Sequence, residues 1–420
     1  MAQLVRRPAK VERWFVHGEF NPGSPKQIRA LMAAYHESSR PGKHSKSGQP
    51  STDKKVMERL AQRHQVFRDI LDWRAVQKLD STYATGMTAL ADEHDRIHAS
   101  FTHRPYTMRL ACQNPNLQNI PQPDDEEEDS LVRQFRRCII ASPGTRLVSA
   151  DFAGIEAVQT GWFSGDRDYY RLARLGVHAY LVSHRLNQPV SLAWSDEDLG
   201  NALREVKDRY HDRKIYKQLK RVVHRTNYGS GAYGMYMDDP DLFASIAEAE
   251  DLQDYYYTLV PKLAKWHSQV RTLANAQGFL GGSDHPYKFK AWFWDVMHYD
   301  RRRDRMVRGA DWNKVVAFYP QSASAGNLYD AMLLLADQDS KYYVGDFFYG
   351  HTPIRALIHD EILAEVPCER LDDFYVRLAG AMTHPIGVQP LPKNWEMESF
   401  MTHRAEIKVG KNWADMERVA

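Results

Sequence analysis

An α+β fold is predicted for this 420-residue chain. Two features predict it: long stretches whose apolar residues recur at helical spacing, and two places where they alternate at period two. The helical stretches fill most of the first hundred residues and about 155–280. The alternating ones are "RLVSADF" (146–152) and the two flanks of "ALIHDEILAEVP" (356–367). A hydrophobic content of 43% and an aromatic content of 11% are those of a globular protein. The length calls for two or three subdomains rather than one simple core.

In chain order, "SPKQIRALMAAY" (24–35) predicts a short helix with Ser24 as N-cap and Pro25 at its first position. After a basic stretch containing Gly, Ser and Pro at 41–52, the helical spacing returns with Val56, Leu60, Val66, Ile70 and Leu71. Residues 106–121, rich in Asn, Gln and Pro, suit extended chain and turns. A strand at 146–152, a helical region to about 280, a mixed segment over 281–320 and a helix at about 321–337 follow. Then Ile354, Ala356 and Ile358 alternate on one arm, and Ile362, Ala364 and Val366 on the other, which is the pattern of a β-hairpin with His359-Asp360-Glu361 as its turn.

Fifty-six basic residues against 54 acidic leave a net charge of +2, which points neither toward nor away from nucleic acid. The local distribution says more. Basic clusters lie at 42–55, 213–225 and 301–305, and a compact acidic run at 124–129. Basic segments spread along a neutral chain fit a polyanion-binding groove better than a uniformly cationic surface. Cys112, Cys138 and Cys368 lie far apart without zinc spacing, which fits free thiols in a reducing compartment. No membrane span and no secretory signal are legible, so a cytoplasmic location is expected.

Two adjacent acids in a turn repel unless a cation offsets them. A solvated turn is the plain alternative. Asp151, at the end of its strand, would meet the hairpin acids if both elements joined one sheet, and two carboxylates so placed make a hard-oxygen site of the kind Mg²⁺ prefers. In "KQLKRVVHRTNYG" (217–229), Lys220, His224 and Tyr228 follow at i, i+4 and i+8 on one helical face, with Ile215, Leu219, Val222 and Val223 on the apolar one. That stripe suits a triphosphate beside an aromatic plane, though an amphipathic surface helix has the same pattern.

Asp151 with Glu156, the Lys220/His224/Tyr228 helix, and His359-Asp360-Glu361 resemble, in order, the three polymerase motifs of the family A (polymerase I-like) DNA polymerases. "RLACQNPNLQNIPQ" (109–122), "FNPGSPKQIRALM" and "VQKLDSTY" are similar to further stretches of that family. The resemblance implies a right-hand polymerase: a helical thumb (1–105), a palm on an antiparallel sheet (106–159 and 291–420) and helical fingers (160–290). It implies primer-template DNA and dNTPs as partners. Asp151 and Asp360 would hold two Mg²⁺ ions about 3.5–4 Å apart, Mn²⁺ being a substitute, with the Phe152 carbonyl as a further ligand. Glu361 would sit beside the metals and His359 at the primer end. Lys220, His224 and His178 take phosphate-binding positions, with His224 as candidate general acid. Glu156 matches the steric gate against a ribose 2′-hydroxyl, and Arg109 and Gln321 match positions that bond minor-groove acceptors.

Two departures from the family pattern stand out. His224 lies where most relatives carry a permanent cation, so a phosphate-bound His224 needs a raised pKa to donate a proton. Tyr233 lies one residue beyond the spacing of a pocket-closing tyrosine, a displacement of about 100° on a regular helix. Either a bulge at Gly229 and Gly231 corrects it, or Tyr233 does not close the pocket. The chain starts close to thumb-like sequence, so an expectation is that it lacks a proofreading exonuclease and the first thumb helix, with a separate exonuclease or thumb-completing subunit as the complement. "HRTNYGSGA" most resembles phage-encoded members, suggesting phage genome replication or repair in host cytoplasm. The rival readings are a metal-dependent nuclease, a catalytically silent DNA-binding subunit and a single-subunit RNA polymerase. The absence of a DxE carboxylate set, the presence of both aspartates, and Glu156 speak against them in turn.

Overall fold

The strand expected at 146–152 is the middle of a five-stranded antiparallel sheet. A computed structural model describes residues 19–37, 49–103, 105–122, 130–387 and 400–419. The acidic run at 124–129, the first ten residues and much of the basic cluster at 42–55 lie outside the described residues. Internal contacts divide the chain into two units, Met1–His98 and Ala99–Ala420.

The first unit is helical. Helix α1 (Pro25–Ala34) begins as its sequence dictates, with the Ser24 hydroxyl accepting from the Gln27 amide. Helix α2 (Lys54–Ala61) is capped by Asp53, whose carboxylate accepts from Val56 N at 2.9 Å. Helix α3 (Gln65–Lys78) runs on into a π-helical stretch at Leu79–Ala84 and a last turn, α4 (Thr85–Thr88). Ile28, Met32, Met57, Leu60 and Phe67 form the core between them, each such side chain contributing about 1.5–3 kcal/mol on burial.

The second unit opens with a small hairpin, β1 (Ser100–Thr102) and β2 (Ala111–Gln113), and helix α5 (Leu131–Arg137). Strand β3 (Thr145–Phe152) follows, then helices α6 (Ile155–Ser164), α7 (Arg167–Leu175), α8 (Val177–Arg185), α9 (Asp196–Tyr210), α10 (Lys214–Asn227), α11 (Ala232–Asp238), α12 (Ile246–Leu259) and α13 (Pro261–Gln277). Two short hairpins come next: β4 (Phe279–Gly281) with β5 (Lys290–Trp292), and β6 (Met297–Asp300) with β7 (Arg305–Arg308). Helix α14 (Lys314–Ala336) leads to β8 (Ile354–Ile358), β9 (Glu361–Pro367), α15 (Leu371–Met382), the short pair β10 (Ile386–Gly387) and β11 (Phe400–Met401), and finally β12 (Ala405–Gly410) and β13 (Met416–Arg418).

The sheet order is β13-β12-β3-β9-β8. Leu328, Ala331 and Leu335 of α14, with Phe374, Leu378 and Met382 of α15, cover it through Val148, Ala150, Ile362, Ala364 and Ile407. The helical region has its own core, including Tyr169, Leu181, Leu199, Leu219, Val222, Phe243 and Tyr256.

Two elements differ from their expected form. The hairpin turn is His359-Asp360 alone, and Glu361 opens β9 as a buried strand residue. Every residue from Glu361 to Pro367 is buried, Glu365 included, so the strand captures the acid. Helix α14 starts seven residues before the expected 321 and passes through Pro320. Proline removes one amide donor and crowds the carbonyl four residues back, but Val315, Val316 and Phe318 before it are fully buried, so packing carries the helix across.

Where α6 meets α7, a Cβ on Gly161 would lie 2.6 Å from Tyr170 Cα and 2.7 Å from Tyr170 N. Backbone atoms cannot rotate aside. Gly161→Ala is therefore expected to destabilise this unit by about 1–3 kcal/mol, read as a lower midpoint in thermal unfolding.

Candidate active site

Three strands place a carboxylate at the same level of the sheet. Asp151 of β3 faces Glu361 of β9 on one side and Glu406 of β12 on the other. Asp360 joins them from the turn one residue before Glu361. Cross-strand partners point their side chains to the same face, so the sheet register brings the sequence-distant acids together. Glu361 is held by the Ser149 hydroxyl, which donates to it at 2.5 Å. His359 takes φ +58° to make the tight turn, and its Nε2–H donates to the Gln118 carbonyl at 3.1 Å. The Gln118 side-chain amide donates in turn to Leu110 O at 3.2 Å and Leu357 O at 3.3 Å. The Asn/Gln-rich stretch thus stitches itself to the hairpin.

Burial, and then the negative charges of Glu361, Asp360 and Glu406, push the Asp151 carboxyl up to about 7. The residue is nevertheless open to solvent, so an arriving cation can reach it and relieve the repulsion. On the other side of Asp360 stands Arg109. Its Nη2 donates to both Asp360 oxygens, at 3.2 and 3.1 Å, and also to Glu156 in the first turn of α6. Burial works against the Arg109 charge, but Asp360 and Glu156 outweigh it and raise its pKa. Burial raises Glu156 as well, with Arg109 opposing. Arg109, read from sequence as a DNA contact, here neutralises two of the expected site carboxylates.

The second cluster is basic. Helix α10 buries Leu219, Val222 and Val223 and exposes Lys220 and His224, and it packs against α6, which carries Glu156. His224 and Tyr228 meet edge to face with ring centroids 5.2 Å apart. Desolvation, then Arg221, Arg225 and Lys220, lower the His224 pKa. His178 on α8 is half-buried beside the same charges, and desolvation, then Lys220, His224 and Lys207, bring it to about 4. Both imidazoles are neutral at pH 7 until an anion arrives, the reverse of what a proton donor needs. Arg225 is paired with Asp238, and Arg221 with Asp239 at 2.5 Å.

Tyr228 caps α10 and its buried hydroxyl has no partner. Its position is set by Asn227, which bonds the Tyr169 and Tyr256 hydroxyls, each at 2.7 Å. At Gly229 (φ +70°) the chain turns, and a new helix begins at Ala232. No bulge therefore carries Tyr233 back onto the Lys220 face; it is 60% exposed on a separate helix. Gln321 lies half-buried on α14, directly after Pro320. Phe152 is buried and packs edge-on against His403 at 5.6 Å.

Among the described residues, no three His, Cys, Asp or Glu side chains gather into a cluster that could hold a metal. The donor chemistry still fits a hard cation. Mg²⁺ takes one or two carboxylates and completes its octahedron with phosphate and water, and the mutual repulsion around Asp151 is the charge such an ion would offset.

The acidic row lies on the sheet, and the cationic stripe lies on α10, which packs against α6. A family model described as DNA polymerase family A matches residues 3–415. The chain belongs to DNA polymerase family A. It is 26% identical over 405 residues to DNA polymerase I of Treponema pallidum (strain Nichols), covering 94% of this chain and 35% of that protein. It is 26% identical over 419 residues to the thermostable DNA polymerase I of Thermus aquaticus, covering 98% and 44%, and 23% identical over 383 residues to the DNA polymerase of Escherichia phage T5, covering 84% and 41%. The chain thus spans less than half the length of these relatives. In fold it is similar to the POL domain of Pol1 from M. smegmatis, solved in complex with DNA primer-template and dNTP, with a TM-score of 0.73, 20% identity and coverage of 98% of this chain and 65% of that one. The expected right-hand polymerase fold is the one found. Among the described residues, no helix is long and apolar enough to cross a membrane.

Sequence reading missed Glu406, Ser149 and the Arg109 bridge. The alternation in "AEIKVG" (405–410) signals a strand, but nothing in it says which strand it joins. The bridge depends on tertiary placement alone.

Because the folded chain holds the Asp151 proton up to about pH 7 while the unfolded chain releases it near 3.8, stability falls as pH rises through this window. In chelator, Asp151→Asn is expected to unfold at a higher temperature than the parent at pH 8, with the gap shrinking toward pH 5. A gap independent of pH, measured by thermal scans, would contradict the assigned titration.

Proposed function

We propose that this chain is a template-directed DNA polymerase that transfers dNMP from dNTP to a primer 3′-hydroxyl with release of pyrophosphate. The observation that carries the reading is the register that sets Asp151 between Glu361 and Glu406 with Asp360 beside them. Residues 1–105 are read as thumb, 106–159 and 291–420 as palm, and 160–290 as fingers. The five sheet strands all fall in the palm ranges, and helices α7 to α13 in the fingers range, which supports that division.

Asp151, Asp360 and the Phe152 carbonyl are the residues that would hold two Mg²⁺ ions, or Mn²⁺, which when bound lower the pKa of the primer hydroxyl and neutralise the leaving pyrophosphate. Glu361, fixed by Ser149, keeps the site acidic without sharing the exposed position of Asp151. Arg109 must release Asp360 when the site fills, and its guanidinium is then free to donate to minor-groove acceptors at the primer end, with Gln321 in the same role and His359 beside it. Lys220, His178 and His224 bind the triphosphate, where charge builds on the departing oxygens. Tyr228 offers a ring face to the incoming nucleotide. Glu156, held by Arg109, occupies the space a ribose 2′-hydroxyl needs. Tyr233 is left without a pocket-closing role. The "HRTNYGSGA" variant, with a phage polymerase among the relatives, supports phage genome replication or repair as the setting.

One primer-extension assay with Mg²⁺, comparing dNTPs, rNTPs and no nucleotide, separates polymerase from nuclease, silent subunit and RNA polymerase. Extension with dNTPs alone is expected. Glu156→Ala should raise rNTP incorporation, and unchanged discrimination would remove Glu156 from the gate.

His224 acts as general acid only if the bound triphosphate reverses its lowered pKa. His224→Gln is expected to slow single-turnover incorporation by about 10²-fold or more and to flatten its decline toward alkaline pH. An unchanged rate or profile rules the role out.

A further inference from the structure

The chain from Met401, at the end of β11, to Arg404, just before β12, straps the corner where β3 turns into α6. Met401 packs with Val158 and Trp162 of α6 and with Tyr170 of α7. At the other end the Arg404 carbonyl accepts from the Ala153 amide at 2.9 Å, and Ala405 pairs with Phe152. His403 lies between these contacts, only 4% exposed, with its ring edge-on to that of Phe152 at 5.6 Å between centroids.

His403 is also tied to a third element. Its Nε2 accepts from the side-chain amide of Asn327 on α14. The Asn327 side-chain carbonyl accepts from the Tyr287 hydroxyl at 2.5 Å, which fixes which end of the amide faces the imidazole. Helix α14 admits that tyrosine because residue 326 is glycine: a Cβ there would lie 2.1 Å from Tyr287 Cδ2. Burial, and then the charge of Arg174, bring the His403 pKa down to about 3, so the ring is neutral and carries its proton on Nδ1. Among the described residues that buried Nδ1 has no hydrogen-bond partner. A buried donor left unpaired costs stability, and an apolar side chain would fill the same space without that cost. The histidine therefore serves placement: its one bond locks the angle of the ring, and the ring braces Phe152.

The corner matters for what it carries. Asp151 and Phe152 end β3, Gly154 turns at φ +63°, and Glu156 sits in the first turn of α6. Arg109 bonds the Glu156 carboxylate and Asp360 together. Because Arg109 is to release Asp360 and turn toward the primer end, the place of Glu156 cannot depend on that bond alone, and the backbone from which it springs must be fixed. We propose that His403, acting through Phe152, is a positioning residue for sugar selection: it holds the β3–α6 corner so that the Glu156 carboxylate meets a ribose 2′-hydroxyl. The proposal rests on the polymerase reading above and on the gate assigned there to Glu156.

The test is single-turnover incorporation of a dNTP and of the matching rNTP by the full chain, with the affinity of each for a complex on dideoxy-terminated primer-template measured beside it. His403→Leu should lower the preference for the dNTP by about tenfold, within the range that a small misplacement in an active site produces, through a gain in rNTP incorporation. Asn327→Ala breaks the same bond from α14, should act in the same direction, and carries the test if His403→Leu does not fold. His403→Gln, whose side-chain carbonyl can still accept from Asn327, should recover most of the preference. In a Glu156→Ala background, His403→Leu should change the preference no further. A parent-like preference in both His403→Leu and Asn327→Ala overturns the proposal, as does a fall of equal size with and without Glu156, or a loss of both rates by the same factor. A parent that extends nothing refutes the polymerase reading instead, and the two affinities on the blocked primer then still decide whether His403 governs the choice of sugar.

Discussion

Electrostatic repulsion within one row of the central sheet is the constraint around which the second unit is organised. Glu406, Asp151 and Glu361 occupy the same level on three adjacent strands, where like charges facing each other destabilise a sheet. Only the register prevents their separation, and a slip of one residue would turn each side chain to the opposite face. The two-residue turn at His359-Asp360 and the buried run of β9 hold that register, and Ser149 holds the one carboxylate that is itself buried. Stability is given up at this row so that positive charge has somewhere to go.

Arg109 shows how the molecule tolerates the row when alone. Its guanidinium answers Asp360 and Glu156 together, while the charges that act on Asp151 among the described residues are the acids Glu361, Asp360 and Glu406, which with burial raise its pKa to about 7. The basic helix has the mirror problem. Burial, and then neighbouring positive charges (Arg221, Arg225 and Lys220 at His224; Lys220, His224 and Lys207 at His178), lower the pKa of both imidazoles. One cluster therefore carries uncompensated negative charge and the other uncompensated positive charge.

Much of this was legible in the sequence, for local reasons. Ser24 and Pro25 mark a helix start wherever they occur before an apolar periodicity, and "RLVSADF" can be little else than a buried strand. The amphipathic spacing of Lys220, His224 and Tyr228 needs no tertiary information. What escaped was set by distant partners: the place of β12 beside β3, the capture of Glu361 by a strand, and the Arg109 bridge. The helix expected at about 321 begins at Lys314 instead, because burial on both sides of Pro320 carries it through. Tyr233 shows the converse, since a positive-φ glycine at 229 ended the helix where strict periodicity assumed continuation.

Helix α14 has a mechanical meaning that follows from its length. At 23 residues it is a rod about 34 Å long. Val315, Val316 and Phe318 at one end belong to the helical core, and Leu328, Ala331 and Leu335 at the other to the core under the sheet. Two hydrophobic cores therefore share one girder. Loosening the packing at either end withdraws support from the other, and Pro320, between the two, leaves the ladder of amide bonds one rung short.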